Sequence, residues 1–129
     1  MEQTESIAFV GDSITWAGDW AAWFPDREVH NFGVGGDTTD DLIARLDAIV
    51  QVHPASIALL IGTNDLGKRQ SVEHLVRNVE YLLVTLRREL PGTRMLVQSI
   101  MPRGREFADQ LGDANRHLRQ FSSSVNAQY

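Results

Sequence analysis

The most constraining feature of this chain is a layout that occurs three times: a short apolar run, then glycine, then small polar residues. Ile7 to Val10 stops at Gly11-Asp12-Ser13. Val29-His30-Asn31-Phe32-Gly33 runs into Val34-Gly35-Gly36-Asp37-Thr38-Thr39, and Ile57 to Ile61 runs into Gly62-Thr63-Asn64-Asp65. Each reads as a buried strand delivering polar groups to the end of a sheet. In an open parallel sheet, ligands bind in the crevice outside the carboxyl ends of the strands. Three such ends predict that Ser13, Gly36 and Asn64 stand around one crevice.

The stretches between these runs carry helical periods. Trp16, Trp20 and Trp23 are spaced i, i+4 and i+7, which predicts one short helix, ended before Pro25, with its tryptophans packed on the sheet. The second strand is placed at about Glu28–Phe32. Thr38 to Val50 reads as a helix opened by a capping-box-like pair, Thr38 and Asp41, with Leu42, Leu46, Ile49 and Val50 as its buried stripe. His53-Pro54 ends it. Ser56–Ile61 is apolar enough for a strand covered on both faces. Ser71 is an N-cap candidate, and Leu75, Val79, Leu82, Leu83, Leu86 and Leu90 form a long stripe that stops at Pro91-Gly92. Arg94–Ile100 is a fourth strand. Phe107, Leu111, Ala114, Leu118, Phe121 and Val125 mark a final helix, with Ser122-Ser123-Ser124 expected to fray its end. Strand and helix alternate throughout, so the expected class is α/β, doubly wound, with right-handed crossovers. The 129 residues are read as a single domain, 1–129. Gln128-Tyr129 falls where the alternation calls for a further strand.

The residue types at the strand ends suit acyl transfer. A serine hydroxyl is a poor nucleophile until a neighbouring base takes its proton. The tetrahedral oxyanion needs donors aimed at it. Ser13 offers a hydroxyl and a backbone N–H, Gly36 an N–H that a substrate can approach, and Asn64 a carboxamide donor. Gly, Asn, Asp and Ser also dominate ordinary turns. Any one of the three stretches alone reads as a turn; their recurrence after buried strands favours a site.

Other chemistries fit less well. A net charge of −5 gives no attraction to phosphate backbones, so nucleic acid is not an expected partner. Cysteine is absent, which excludes disulfides and thiolate metal sites. There is no P-loop pattern, and Gly33-x-Gly35 has Thr38 where a dinucleotide fingerprint needs glycine. Asp12, with Asp37, Asp40, Asp41 and Asp65, invites a phosphate or Mg²⁺ reading, but the spacing fits no recognised cage. No cofactor and no metal are expected. Position 15 is Thr, so Ser13 is not in a G-x-S-x-G elbow. Met1 to Ser6 lacks the features of a signal peptide and no run approaches membrane-spanning length, so a cytoplasmic location and no membrane span are the expectation.

At these residues the chain resembles the SGNH, or GDSL, hydrolase superfamily. Gly11-Asp12-Ser13 is similar to its first block, Asn31 to Thr39 to its second, and Gly62-Thr63-Asn64-Asp65 to its third. The second block, with Met101-Pro102-Arg103-Gly104, is most similar to the platelet-activating-factor acetylhydrolase catalytic-subunit branch. The resemblance covers nearly the whole chain. It implies a three-layer α/β/α flavodoxin-like fold with a parallel sheet of order 2-1-3-4, followed in the family by a fifth strand that this chain lacks. It implies a metal-free serine esterase acting on a small ester, with Ser13 as nucleophile and Ser13, Gly36 and Asn64 as the oxyanion hole. Asp12, Asp37 and Asp65 are supporting residues.

In one respect the chain departs from the family. The family carries its general base and orienting acid in an Asp-x-x-His block after the fifth strand, and no such block is present here. His30 is expected at the wrong end of the sheet, His53 after a helix, and His74 and His117 on polar helix positions. The domain is therefore read as C-terminally incomplete and its esterase activity as impaired. A catalytically dead acyl- or acetyl-binding module is the alternative, and a phosphate-binding flavodoxin-like domain a third. The missing strand would leave Arg94–Ile100 as a sheet edge with unpaired groups, which predicts self-association there, with exchange of the last helix.

Overall fold

Four parallel strands lie side by side in the order β2-β1-β3-β4: β1 Ser6–Gly11, β2 Glu28–Gly33, β3 Ser56–Leu60 and β4 Arg94–Val97. The computed structural model describes residues 5–129. Between the strands run α1 (Ser13–Trp16), α2 (Trp20–Trp23), α3 (Thr39–Ala44), α4 (Leu46–Val52), α5 (Thr63–Gly67) and α6 (Val72–Glu89), and a 3₁₀ turn at Arg105–Phe107 leads into α7 (Ala108–Ser124). Gly11 of β1 pairs with Gly33 of β2 and with Leu60 of β3. The first two glycine ends are therefore level, and the third run reaches its glycine, Gly62, two residues further on at the same end of the sheet.

Residues in register across a parallel sheet share a face. Ala8, Ile57 and Met95 line up, as do Val10, Leu59 and Val97. This face is buried in one core with Leu42, Leu46 and Ile49 of α3 and α4, Leu118 of α7, and the α6 stripe Leu75, Val79, Leu82, Leu83 and Leu86. Each of these aliphatic side chains contributes about 1.5–3 kcal/mol by leaving water. The other face carries Phe9, Ala58 and Leu96. There the Trp20 ring stacks on Phe9, centroids 4.0 Å apart and 7° from parallel. Leu96 on the same face is 38% exposed. The second helical layer, α1 and α2, packs on β1 and β2. The expected burial of β3 on both faces is therefore incomplete, and Ala58 is only partly covered.

Several expected elements are corrected. The tryptophan helix is two short helices, interrupted at Ala17–Asp19. A Cβ at Gly18 would lie 2.2 Å from the Trp20 ring, so glycine here lets that ring fold back onto Phe9. Trp20 alone packs on the sheet, and Trp16 and Trp23 are 66% and 61% exposed. The Thr38–Val50 helix is split at Arg45. Its start is a full capping box, in which Asp41 reaches back to the Thr38 N–H at 3.0 Å despite its short side chain. β4 stops at Val97 rather than Ile100. The serines do not fray α7. Ser122, Ser123 and Ser124 donate their hydroxyls to the carbonyls of Leu118, Gln120 and Phe121 and stay within the helix to Ser124, the back-bonding open to serine in a last turn.

The β4 edge is not bare. Val97 N–H donates to Gln128 O and Gln128 N–H donates to Met95 O, both at 2.8 Å, in a parallel bridge between Leu96 and Gln128. Residues near the end of the chain thus occupy part of the edge from which self-association was expected.

Candidate active site

β1 ends where its backbone is closely packed. A Cβ at Gly11 would lie 2.3 Å from Leu60 O and 2.4 Å from Thr15 Oγ1, so only glycine fits. Asp12 then caps α1, its Oδ1 accepting from the Ile14 N–H at 3.0 Å. Ser13, the first residue of that helix, is exposed. Asp12 itself is 1% exposed, and its Oδ2 has no partner among the described residues. Burial pushes its carboxyl above the usual carboxylate range and the charge of Asp37 pushes the same way, while the Ile14 N–H opposes both.

The second strand end brings Gly35 against Ser13: a Cβ at Gly35 would stand 3.9 Å from Ser13 Cβ. Gly36 has φ +80°, and no atom lies within 4 Å of where its Cβ would be. The first fact makes a side chain there strained; the second leaves its backbone open to an approaching group. Asp37 closes the turn, donating its N–H to Val34 O at 3.2 Å.

The third end is tied to the second. Asn64 Nδ2 donates to Asp37 O at 3.0 Å, which leaves one carboxamide N–H uncommitted. Asp65, fully buried, accepts from the Thr39 N–H at 2.9 Å and the Thr39 hydroxyl at 2.5 Å. Burial raises its carboxyl above the ordinary range, against the Thr39 donors. The segments that carry Ser13, Gly36 and Asn64 therefore adjoin one another, with Gly35 facing Ser13 and Asp37 bonded to Asn64. Neither the Ser13 N–H nor the Gly36 N–H donates a hydrogen bond among the described residues. The three strand ends thus carry an exposed hydroxyl, two backbone N–H groups that donate no hydrogen bond among the described residues, and a side-chain amide with one N–H uncommitted.

The histidines lie elsewhere. His30 is in β2 opposite Ala8, three residues short of the strand end. His53 is the left-handed cap of α4. His74 Nε2 is 2.7 Å from Asp40 Oδ2, and His117 is 3.6 Å from Asp113. None hydrogen-bonds Ser13. Asp113 and His117 are four residues apart and are an exposed helix pair rather than an Asp-x-x-His block. The His74–Asp40 pair, with Asn78 bonded to Asp40 and to the Thr39 hydroxyl, was not foreseen. The His74 bond, and then the Asn78 bond, hold the Asp40 carboxyl below its usual range. Two surface hollows lie away from Ser13, one between α3 and α6 and another at the foot of β4. Among the described residues no helix is long and apolar enough to cross a membrane.

The model of the GDSL-like Lipase/Acylhydrolase family matches residues 9–129. The platelet-activating factor acetylhydrolase IB subunit alpha1 of Bos taurus is 24% identical over 125 residues, an alignment covering 92% of this chain and 53% of that protein. The chain thus spans about half the length of the curated relatives it matches. A solved structure from Streptococcus pneumonia, provisionally described as a platelet activating factor, superposes with a TM-score of 0.83 at 27% identity, covering 98% of this chain and 65% of its own. AlinE4, an SGNH-hydrolase family esterase, superposes at 0.80 with 18% identity over 99% of this chain and 76% of its own.

Proposed function

This chain belongs to the GDSL-like lipase/acylhydrolase family, and from that premise we propose that it carries the nucleophile and oxyanion hole of a serine esterase acting on small acyl esters. The observation that carries this reading is that the N–H groups of Ser13 and Gly36 donate no hydrogen bond among the described residues, at strand ends that also carry the exposed Ser13 hydroxyl. In the proposed step Ser13 Oγ forms a bond to the ester carbonyl carbon and gives up its proton. The carbonyl oxygen takes the charge and is held by the N–H groups of Ser13, Gly36 and the Asn64 side chain. Collapse breaks the bond to the alcohol oxygen, which leaves with a proton, and the acyl group stays on Ser13 until water removes it. Acetyl esters are the proposed substrates, in line with the acetylhydrolase named among the relatives.

No base is assigned in this step, because no described histidine hydrogen-bonds Ser13. Nucleophile, oxyanion hole and binding without a complete triad retain about 10³–10⁴-fold catalysis over water. The same lack of a base supports a second reading, a module that binds an acyl group without turning it over.

Trapping separates the two. An aryl acetate has a leaving group that needs no proton, whereas deacylation needs water to be deprotonated, so acetyl-Ser13 accumulates. Intact-mass and peptide analysis after incubation with p-nitrophenyl acetate is expected to find one acetyl group on Ser13. Acetylation confined to Lys68 or the α-amino group would contradict the esterase reading.

A further inference from the structure

We propose that Arg45 is a positioning residue that sets the spacing between the Ser13 hydroxyl and the oxyanion loop at Gly36; what the spacing serves rests on the esterase reading above. Arg45 Nε donates to Asp37 Oδ2 at 2.8 Å, and its Nη2 donates to Gly11 O at 3.0 Å. Gly11 ends β1 two residues before Ser13, and Asp37 directly follows Gly36. One planar guanidinium therefore spans the two segments that must face each other.

The rest of the loop is referenced to the same two residues. Gly11 O also accepts from the Val34 N–H at 3.1 Å, Asp37 N–H closes the turn onto Val34 O, and Asp37 O accepts from Asn64. A second, independent observation concerns the helix. Sharp interruptions normally occur at proline or glycine or where a side chain intrudes. Thr39 to Val52 contains neither proline nor glycine, yet the helix breaks at Arg45, with φ −113° and ψ 18°. The break falls at the residue whose side chain is tethered at both ends of its fork.

Neutralising Asp37 would need only a positive charge, which lysine supplies. Holding two acceptors in a fixed relation needs the rigid fork of arginine, which lysine lacks. Arg45→Lys and Arg45→Met separate these roles. In both variants the Val34 and Asp37 amides are expected to exchange hydrogen about tenfold faster. The Gln98 and Leu90 amides, bonded to Leu59 O and Leu86 O, serve as controls and are expected to change less than about twofold. Ser13 acylation by p-nitrophenyl acetate, read as the burst of p-nitrophenolate, is expected to fall about tenfold or more in its maximal rate constant with its half-saturating concentration little changed, since misplacement costs the transition state.

Wild-type exchange and a wild-type acylation rate in Arg45→Lys would reduce Arg45 to a charge partner and overturn the proposal. So would unchanged loop amides in Arg45→Met, or a rise of all amides together. If Arg45→Met fails to fold, Arg45→Lys carries both readouts. Failure of both variants to fold would make Arg45 a general structural residue, again overturning it. If the unaltered chain shows no Ser13-dependent acylation, the esterase reading fails, while the exchange rates still decide whether Arg45 holds the two segments together.

Discussion

Replacing Asn64 with alanine is expected to slow Ser13 acylation by about 10²–10³-fold, the cost of removing one oxyanion donor from a preorganised site. The oxyanion exists only in the transition state and intermediate, so the loss is expected in the maximal rate constant of the acylation phase, with the half-saturating ester concentration of that phase nearly unchanged. The measurement is p-nitrophenolate release, with the rate of Ser13→Ala subtracted as background. Asn64 has a second task, donating to Asp37 O, so part of any loss could come from a displaced loop. Thermal unfolding measures that part separately: a neutral hydrogen bond is worth about 1 kcal/mol net, too little to account for the rate. A fall of less than about tenfold would remove Asn64 from the oxyanion hole.

Asp65→Ala is expected to be the most destabilising change near the site. It strips the acceptor from two buried donors, the N–H and hydroxyl of Thr39. Each donor left unsatisfied costs about 1–3 kcal/mol, and a domain of this size loses a few degrees of Tm per kcal/mol, so a fall of about 10 °C is expected. The effect has a definite pH dependence. The folded chain holds the Asp65 proton to higher pH than an unfolded chain does, because burial raises its pKa. Stability contributed by such a group is complete below the unfolded value of about 3.9 and is lost as pH rises through the folded value. The Tm gap between the unaltered chain and Asp65→Ala should therefore be widest in acid and narrow towards neutrality. A gap that widens as pH rises would show that the carboxylate, not the carboxylic acid, is the better partner for Thr39.

Much of this site was legible before any coordinates. Glycine after an apolar run marks a strand end, and three such marks located Ser13, Gly36 and Asn64. Thr38 with Asp41 announced the start of α3, because capping chemistry is local. Periodicity also named the buried face of α6 correctly, since that face enters one continuous core shared with the sheet and α7. What the pattern missed depends on contacts distant in sequence. Arg45 sits between Ile43 and Leu46 and reads as an ordinary polar position on a helix; only the folded chain brings Gly11 and Asp37 to its fork. The tryptophans share a helical face only if the helix is unbroken, and Gly18 breaks it. Asp65 looked like a residue of an Asn-Asp turn, although its partner, Thr39, is twenty-six positions away. Gln128 joins the β4 edge at the point where the alternation calls for a further strand, although its residue type marks none.

The central claim is that a hydroxyl and three N–H groups from three strand ends serve a single carbonyl. It is tested most directly by the crystal structure of the chain after prolonged reaction with a small dialkyl aryl phosphate, whose phosphoryl oxygen stands in for the oxyanion. The account predicts phosphorus bonded to Ser13 Oγ, with its free oxygen about 2.7–3.1 Å from the backbone nitrogens of Ser13 and Gly36 and from Asn64 Nδ2. An adduct on another residue, or one on Ser13 with that oxygen turned to solvent, would contradict it.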